Sequence, residues 1–108
     1  MERYDIRIQR GATLRRVVRF LRDGVPVDLT GYSASCQVRE TPDGGRLVAV
    51  VNCAVSPQEG RVELGLDADA TAGMVSGSYV WDLRLTAGDG FTGFYVGGGF
   101  VVLPSVTE

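Results

Sequence analysis

The sequence predicts one domain built as an antiparallel β-sandwich of about seven to nine strands with one short helix. Three observations lead to this fold class. Turn signals recur about every 8–12 residues, several segments alternate apolar with polar residues, and glycine occurs fifteen times in 108 residues, about twice its usual share. A chain of this length removes roughly two-thirds of its unfolded surface from water, so one core is expected without a metal or a disulfide.

The clearest strand covers residues 32–40, where apolar and polar side chains alternate with the period of two that places one row in a core. Two turns are predicted before it. Asp23 and Gly24 favour a tight hairpin with positive φ angles, and a Thr-Gly pair ending at Gly31 allows a second reversal. The extended piece between them contains Pro26, which cannot donate a ladder hydrogen bond. This piece is therefore expected at a sheet edge.

The N-terminal part contains one clear strand and one ambiguous segment. Residues 4–10 alternate as a strand does. In residues 13–22 the apolar positions also fit an amphipathic helix with arginines on the opposite face. Two adjacent valines and the position of Phe20 favour a strand with a bulge near Arg15 and Arg16, and the helix is kept as the alternative.

The middle of the chain predicts two strands and a helix. Residues 41–45 are a turn signal, and residues 46–54 that follow are apolar on both faces. That strand is expected either centrally in the sandwich or under a neighbouring subunit. Residues 61–66 alternate as a half-buried strand, and Asp67 is placed to cap a short helix over residues 68–74.

The last third predicts a hairpin followed by a closing strand. Residues 77–86 bring the single tryptophan, Trp81, into the core. A four-residue loop leads to the closing strand over residues 91–103, which three adjacent glycines at 97–99 are expected to interrupt. The predicted core consists of Ile6, Ile8, Tyr32, Cys36, Val38, Val62, Leu64, Tyr79, Trp81, Leu83 and Val102.

The charges are unevenly distributed, since the first 22 residues carry a net charge of +5 and the remainder −7. A basic end is compatible with nucleic acid, but the stacking aromatics and lysine clusters typical of such proteins are missing, so nucleic-acid binding is not predicted. No apolar stretch approaches the roughly 20 residues of a membrane span, and no secretory signal follows Met1. Synthesis and assembly in the cytoplasm are expected.

The residue types argue against catalysis. The chain has no histidine, the commonest general base and metal ligand. Cys36 and Cys53 do not form a CxxC motif and are expected to be reduced thiols, although a disulfide is conceivable if their strands are neighbours. The sequence predicts no enzyme, no cofactor and no metal site.

A series of short motifs, in this order, carries a resemblance to a known family. They are Gly-x-Thr at 11–13, Asp-Gly-x-Pro-Val-Asp-Leu-Thr-Gly-Tyr at 23–32, Gln-Val-Arg at 37–39, Gly-x-Val-x-Leu at 60–64, Gly-Ser-Tyr-Val-Trp-Asp-Leu at 77–83 and Val-Val-Leu-Pro-Ser-Val-Thr at 101–107. Over most of its length the chain resembles small phage virion proteins similar to the N-terminal domain of the baseplate upper protein of tailed phages.

The resemblance implies an immunoglobulin-like sandwich in a non-enzymatic virion structural protein. Such a protein acts through contacts with other virion proteins and as a homo-oligomer in the particle, at the tail, baseplate or fibre attachment, or as a capsid decoration protein. The particle is assembled in the host cytoplasm. The alternative is a free immunoglobulin-like accessory module that binds a host protein or a carbohydrate.

Two surfaces are predicted to hold neighbours. The arginines could lie against an acidic face of the next subunit, and the glycine run would let another backbone approach closely while aromatic side chains supply buried area. Gly98→Val is therefore expected to weaken incorporation more than stability. The alternative is that the glycines form an internal bend and that the arginines are merely solvated. The predicted interaction residues are Arg15, Arg16, Arg19, Phe94, Tyr95, Gly97, Gly98, Gly99 and Phe100.

Overall fold

A computed structural model describes residues 2–42 and 45–104, with the side chains of all of them except Glu2 and Phe94. Two residues of the predicted turn, Asp43 and Gly44, lie outside the described residues, as do residues 105–107 of the last family motif. In the described part no helix is long and apolar enough to cross a membrane. The elements are β1 (Glu2–Arg3), β2 (Ile6–Gln9), β3 (Leu14–Arg19), β4 (Leu21–Arg22), β5 (Val25–Pro26), β6 (Ser33–Arg39), β7 (Leu47–Ser56), β8 (Arg61–Leu66), α1 (Ala68–Ala72), β9 (Gly77–Thr86) and β10 (Thr92–Leu103), with a 3-10 turn at Pro57–Glu59.

Eight of these strands form one sheet in the order β1, β10, β9, β6, β7, β8, β3, and β2 also pairs with β10. The sheet is nearly closed and resembles a barrel, while β4 and β5 form a separate hairpin. The predicted β-rich fold with one short helix is confirmed. The immunoglobulin-like sandwich is not confirmed, because strand pairing continues through a single sheet.

The prediction that all strands pair antiparallel is wrong at one edge of the sheet. β1 and β2 both run parallel to β10, with Arg3 opposite Gly97 and Ile6 opposite Phe100. These pairs belong to one register, so β1 and β2 are two parts of a single N-terminal strand that leaves the ladder for two residues. A parallel partner is possible here because nearly the whole chain separates the N-terminal strand from β10.

β7 joins the two halves of the sheet. Its first half, residues 47–51, pairs with β6, and its second half, residues 52–56, pairs with β8. Val48 forms a bulge, because the partners of two consecutive β6 residues are Leu47 and Ala49. The expectation of a central strand with both faces covered is wrong, because the side chains of Leu47 and Val50 are exposed. The other expectation, that a neighbouring subunit covers this strand, stays a prediction.

Residues 13–22 contain a strand, and the helical alternative is wrong. β3 pairs with β8 in an unbroken register from Leu14 opposite Leu66 to Arg19 opposite Arg61. The predicted bulge near Arg15 is therefore wrong as well. The side chain of Leu14 is buried and that of Val17 is exposed, as the alternation of a strand requires.

The predicted turn and helix cap are present. Asp23 and Gly24 adopt φ angles of 52° and 79° and join β4 to β5 away from the main sheet, which agrees with the edge prediction. Asp67 caps α1, because its Oδ1 accepts a hydrogen bond of 2.8 Å from the Ala70 amide. The helix ends at Ala72, two residues earlier than predicted.

The buried side chains form one hydrophobic cluster that fills the barrel-like sheet. Of the predicted core, all are buried except Tyr32 and Tyr79, which are half-buried. Four fully buried members were not included in the predicted core: one lies in the irregular segment before β6, and the other three lie in β3, β9 and β10. These four are Leu14, Leu29, Leu85 and Phe100.

Candidate interaction surfaces

The three adjacent glycines lie inside β10, which continues through them, so the predicted interruption is wrong. A Cβ on Gly98 would lie 2.5 Å from the Tyr4 carbonyl oxygen and 2.8 Å from Asp5 Oδ1, and one on Gly97 would lie 2.7 Å from the Trp81 carbonyl oxygen. Real Cβ atoms do not make such short contacts. The close approach predicted at the glycines is therefore made by the chain's own N-terminal strand.

Hydrogen bonds fix this strand against the glycines. The Tyr4 amide donates to the Gly97 carbonyl oxygen at 2.9 Å, and the Gly99 amide donates to Asp5 Oδ1 at 2.8 Å. Trp81 Nε1 donates to the Tyr4 carbonyl oxygen at 2.8 Å. The side-chain rings of Tyr4 and Trp81 are perpendicular, with their centroids 6.4 Å apart. The indole N–H of the buried Trp81 thus has a hydrogen-bond acceptor in the Tyr4 backbone, which can approach closely because the glycines carry no side chains.

The aromatic residues beside the glycines have different environments. Phe100 is fully buried in the core, so its prediction as an interaction residue is corrected: its ring packs inside the sheet. The side chain of Phe94 lies outside the described part of the structure. Tyr95 is 37% exposed. The expected effect of Gly98→Val is also corrected, because a larger side chain would collide with the N-terminal strand inside the same molecule.

A shallow groove of about 440 Å³, here called the arginine groove, lies on the outer face of β6, β9 and β10. Arg3, Arg39 and Arg84 line it, together with Asp82 and Tyr95. The glycines form part of its floor because they carry no side chains. Arg3 pairs with Asp5 at 3.2 Å and Arg84 lies 3.7 Å from Asp82, so Arg39 leaves the groove with an excess of positive charge, although the chain as a whole is acidic.

The centre of the arginine groove is a small polar network. The Tyr95 hydroxyl donates to Asp82 Oδ2 at 3.0 Å, and Arg84 Nε lies 3.7 Å from the same oxygen. The Arg84 guanidinium carbon lies 5.3 Å from the centre of the Tyr95 ring. Partial burial, and then the hydrogen bond to Asp82 and its negative charge, raise the pKa of Tyr95. Tyr95 therefore remains a neutral donor at physiological pH.

The three predicted arginines of β3 do not form one surface. Arg15 and Arg19 are exposed on the outer face of the strand. Arg16 lies in the opposite row and is half-buried. Its Nη2 donates to the Arg7 carbonyl oxygen at 3.3 Å, and its Nη1 donates to the Arg15 carbonyl oxygen at 2.9 Å. Arg16 thus links the two ends of the sheet, β2 and β3.

A second groove, of about 740 Å³, lies between the first half of β7 and the segment that follows β8. It is called the β7–α1 groove below. The exposed apolar side chains of Leu47, Val50 and Val75 line it, and their exposed fractions are 42%, 61% and 75%. This groove was not predicted as a site. The sequence feature that points to the groove is the apolar run at residues 46–54, for which cover by a neighbouring subunit was one of two expectations.

The two cysteines are free thiols in contact with each other. Cys36 is buried and Cys53 is half-buried. A hydrogen bond between the thiols raises the pKa of Cys36, which burial raises further, and lowers the pKa of Cys53. Among the described residues no three His, Cys, Asp or Glu side chains are grouped so that they could hold a metal ion.

No family model and no curated protein match the chain. A solved structure does: the N-terminal domain of phage TP901-1 ORF48, with a TM-score of 0.58 and 10% sequence identity. The likeness is one of fold. It covers 95% of this chain and 99% of the ORF48 domain, so the two have the same extent. At this level of identity no individual site residue is transferred from the phage protein.

Proposed function

We propose that this protein is a non-enzymatic structural protein of a phage particle that acts through protein–protein contacts. The observation that carries the proposal is the fold likeness to the N-terminal domain of a phage protein over nearly the full length of both chains. The motif series at 11–13, 23–32 and 77–83 adds support, because the sequence resembles phage virion domains independently of the fold. The lack of histidine in the sequence supports the non-enzymatic part of the proposal.

We place the protein at the tail, as a baseplate or fibre-attachment adaptor, where it works in several copies assembled in the host cytoplasm. The sequence resemblance to the baseplate upper protein supports this position. Capsid decoration is the competing position within the particle. Copy number separates the two, since a decoration protein is present in far more copies than a tail-end adaptor.

The exposed positive groups are proposed to orient the protein against an acidic neighbour. Arg15 and Arg19 on β3 are exposed, and none of the ion pairs among the described residues includes them, so both are available for this purpose. Exposed pairs contribute only about 0.2–1 kcal/mol each, but several of them fix register and speed association. Arg15→Glu combined with Arg19→Glu should therefore make incorporation more sensitive to salt.

Quantitative mass spectrometry of purified particles tests the proposal. A fixed copy number per particle is the expected result, and it also gives the position. Absence of the protein from particles that contain the other structural proteins would reject the structural role in favour of a free accessory module that binds a host protein or a carbohydrate.

A further inference from the structure

The first half of β7 has an open edge. Residues 47–51 pair with β6 on one side, whereas β8 begins to pair with β7 only at Asn52, opposite Gly65. Within the described part of the chain, no strand pairs with residues 47–51 on the other side. In an antiparallel strand every second residue directs its N–H and C=O groups to that side. Part of β7 therefore presents unpaired main-chain groups.

The open edge lies along the β7–α1 groove rather than on a flat surface. The opposite wall consists of α1 and the residues after it, including Val75, and the buried side chains of Leu66 and Met74 lie at its base. The residues of the open edge span about 17 Å. The groove thus follows the open edge and is limited on its far side by a helix.

Apolar side chains are concentrated at the same place. Val50 projects from β7 and Val75 from the facing wall, and both are more than half exposed. Proteins usually protect an edge strand with charges, proline or a bulge. Here the bulge at Val48 affects only the start of the strand, and residues 49–51 remain regular and carry no charge. An open edge combined with exposed apolar side chains is the arrangement that binds an extended peptide.

The charges of the groove indicate what kind of segment fits. Arg46 is neutralised by Glu40, at 2.8 Å. Asp69 on α1 also lines the groove, and none of the ion pairs among the described residues includes it. A segment that passes α1 would therefore gain from a basic residue near Asp69.

We propose that the β7–α1 groove binds one extended segment of a neighbouring protein, added to β7 as a short antiparallel strand in line with β8. Its alternate side chains are apolar and contact Val50 and Val75, and it carries a lysine or arginine close to Asp69. The wall formed by α1 favours a single segment, such as an arm or a terminus, over the edge of a second folded copy, whose sheet would collide with the helix. This inference rests on the proposed function and specifies the surface that performs it.

The test compares two valines of equal exposure. Val50 and Val25 are 61% and 62% exposed, but Val25 lies on the separate β4–β5 hairpin. Val50→Arg should reduce incorporation into particles by about tenfold or more, since a charge placed in an apolar contact removes a central binding residue. Val25→Arg should incorporate normally. If Val50→Arg alters the melting temperature, Val75→Arg on the opposite wall provides the same test.

Hydrogen exchange supplies the second readout. Amides within residues 47–51 that face the groove should exchange more slowly in purified particles than in the free protein, because they become hydrogen-bonded to the added strand. If the wild type is absent from particles, the proposed function fails. If the wild type is present, normal incorporation of both Val50→Arg and Val75→Arg overturns the inference alone. The inference would also be overturned if the purified protein dimerises and Val50→Arg abolishes the dimer, because a second copy of the chain would then occupy the groove.

Discussion

The carbonyl oxygen of Tyr4 lies 2.5 Å from the position that a Cβ would take on Gly98, and it accepts a hydrogen bond from Trp81. One backbone group thus connects the N-terminal strand, the glycine run and the tryptophan. Residues from opposite ends of the chain meet at this point. The glycines are needed there because the approaching group is rigid backbone, which cannot move aside as a flexible side chain can.

Gly98→Ala is expected to destabilise the isolated protein. The added methyl group overlaps the Tyr4 carbonyl oxygen, and overpacking of this kind costs about 1–3 kcal/mol. A domain of this size loses about 4–8 °C in Tm per kcal/mol, so the decrease is readily measured by thermal denaturation. Gly88→Ala is the control, since its Cβ would meet only the Gly31 carbonyl oxygen, at 3.9 Å. Equal Tm values for the two variants would contradict this account of the glycine run.

Trp81→Phe should destabilise the protein less than Trp81→Ala does. Phenylalanine keeps most of the apolar contact but leaves the Tyr4 carbonyl oxygen without its donor, which costs about 1–3 kcal/mol if that oxygen stays buried. Alanine also creates a cavity, at about 3–5 kcal/mol. Urea denaturation followed by circular dichroism measures both variants. A Trp81→Phe protein as stable as the wild type would show that the Nε1 hydrogen bond adds nothing.

The sequence was sufficient to predict local structure. Alternation identified β6 and β9 and most of the core, and the signals at Asp23 and Asp67 correctly predicted a hairpin and a helix cap. These features depend on neighbouring residues, whose preferences can be read directly from the chain. The fold class was correct only as far as a β-rich domain with one short helix.

Long-range pairing was not predictable in the same way. Nothing in residues 2–9 indicates that they pair with β10 in parallel, because the register depends on a partner far away in the sequence. The glycine run correctly indicated a close backbone approach, but not that the approaching backbone belongs to the same molecule. For the same reason Phe100 was predicted at an interface, whereas it belongs to the core.

Arg16→Met should destabilise the protein more than Arg15→Met. The Arg16 guanidinium bonds the Arg7 carbonyl oxygen across the gap between β3 and β2, whereas the Arg15 side chain is exposed. Loss of such a hydrogen bond costs about 0.5–1.5 kcal/mol, and an exposed substitution changes stability by less than about 0.5 kcal/mol. Chemical denaturation of the two variants makes the comparison. A larger loss for Arg15→Met would show that Arg16 does not link the ends of the sheet.

Cys53 is expected to react with iodoacetamide before Cys36. The reactive species is the thiolate, and the hydrogen bond between the thiols lowers the pKa of Cys53 while it raises the pKa of Cys36. Raising the pH should therefore increase labelling of Cys53 first, whereas Cys36, which is also buried, should become labelled only on unfolding. Peptide mapping by mass spectrometry identifies the labelled residue. In Cys53→Ser the folded protein should resist labelling, and rapid modification of Cys36 in that variant would contradict the assignment.

The turn before β6 should contribute stability that depends on pH. Thr30 donates from its hydroxyl and from its amide to Asp28 Oδ1, at 2.6 and 3.0 Å, and these bonds lower the pKa of Asp28 below its ordinary value of 3.8. Because the folded state has the lower pKa, the contribution is present above pH 3.8 and is lost as the pH falls through the folded value.

Two variants of this turn, Asp28→Asn and Thr30→Val, isolate the contribution. The difference in melting temperature between the wild type and Asp28→Asn should be largest near neutral pH and should shrink below about pH 4. Thr30→Val removes the hydroxyl donor, which is the larger cause of the shift, so the pKa of Asp28 measured by NMR titration should move back toward its ordinary value. The difference in melting temperature between the wild type and Asp28→Asn could instead stay constant from about pH 7 to pH 2. That result, or an unchanged pKa of Asp28 in Thr30→Val, would show that the stability of this turn does not depend on the ionised carboxylate.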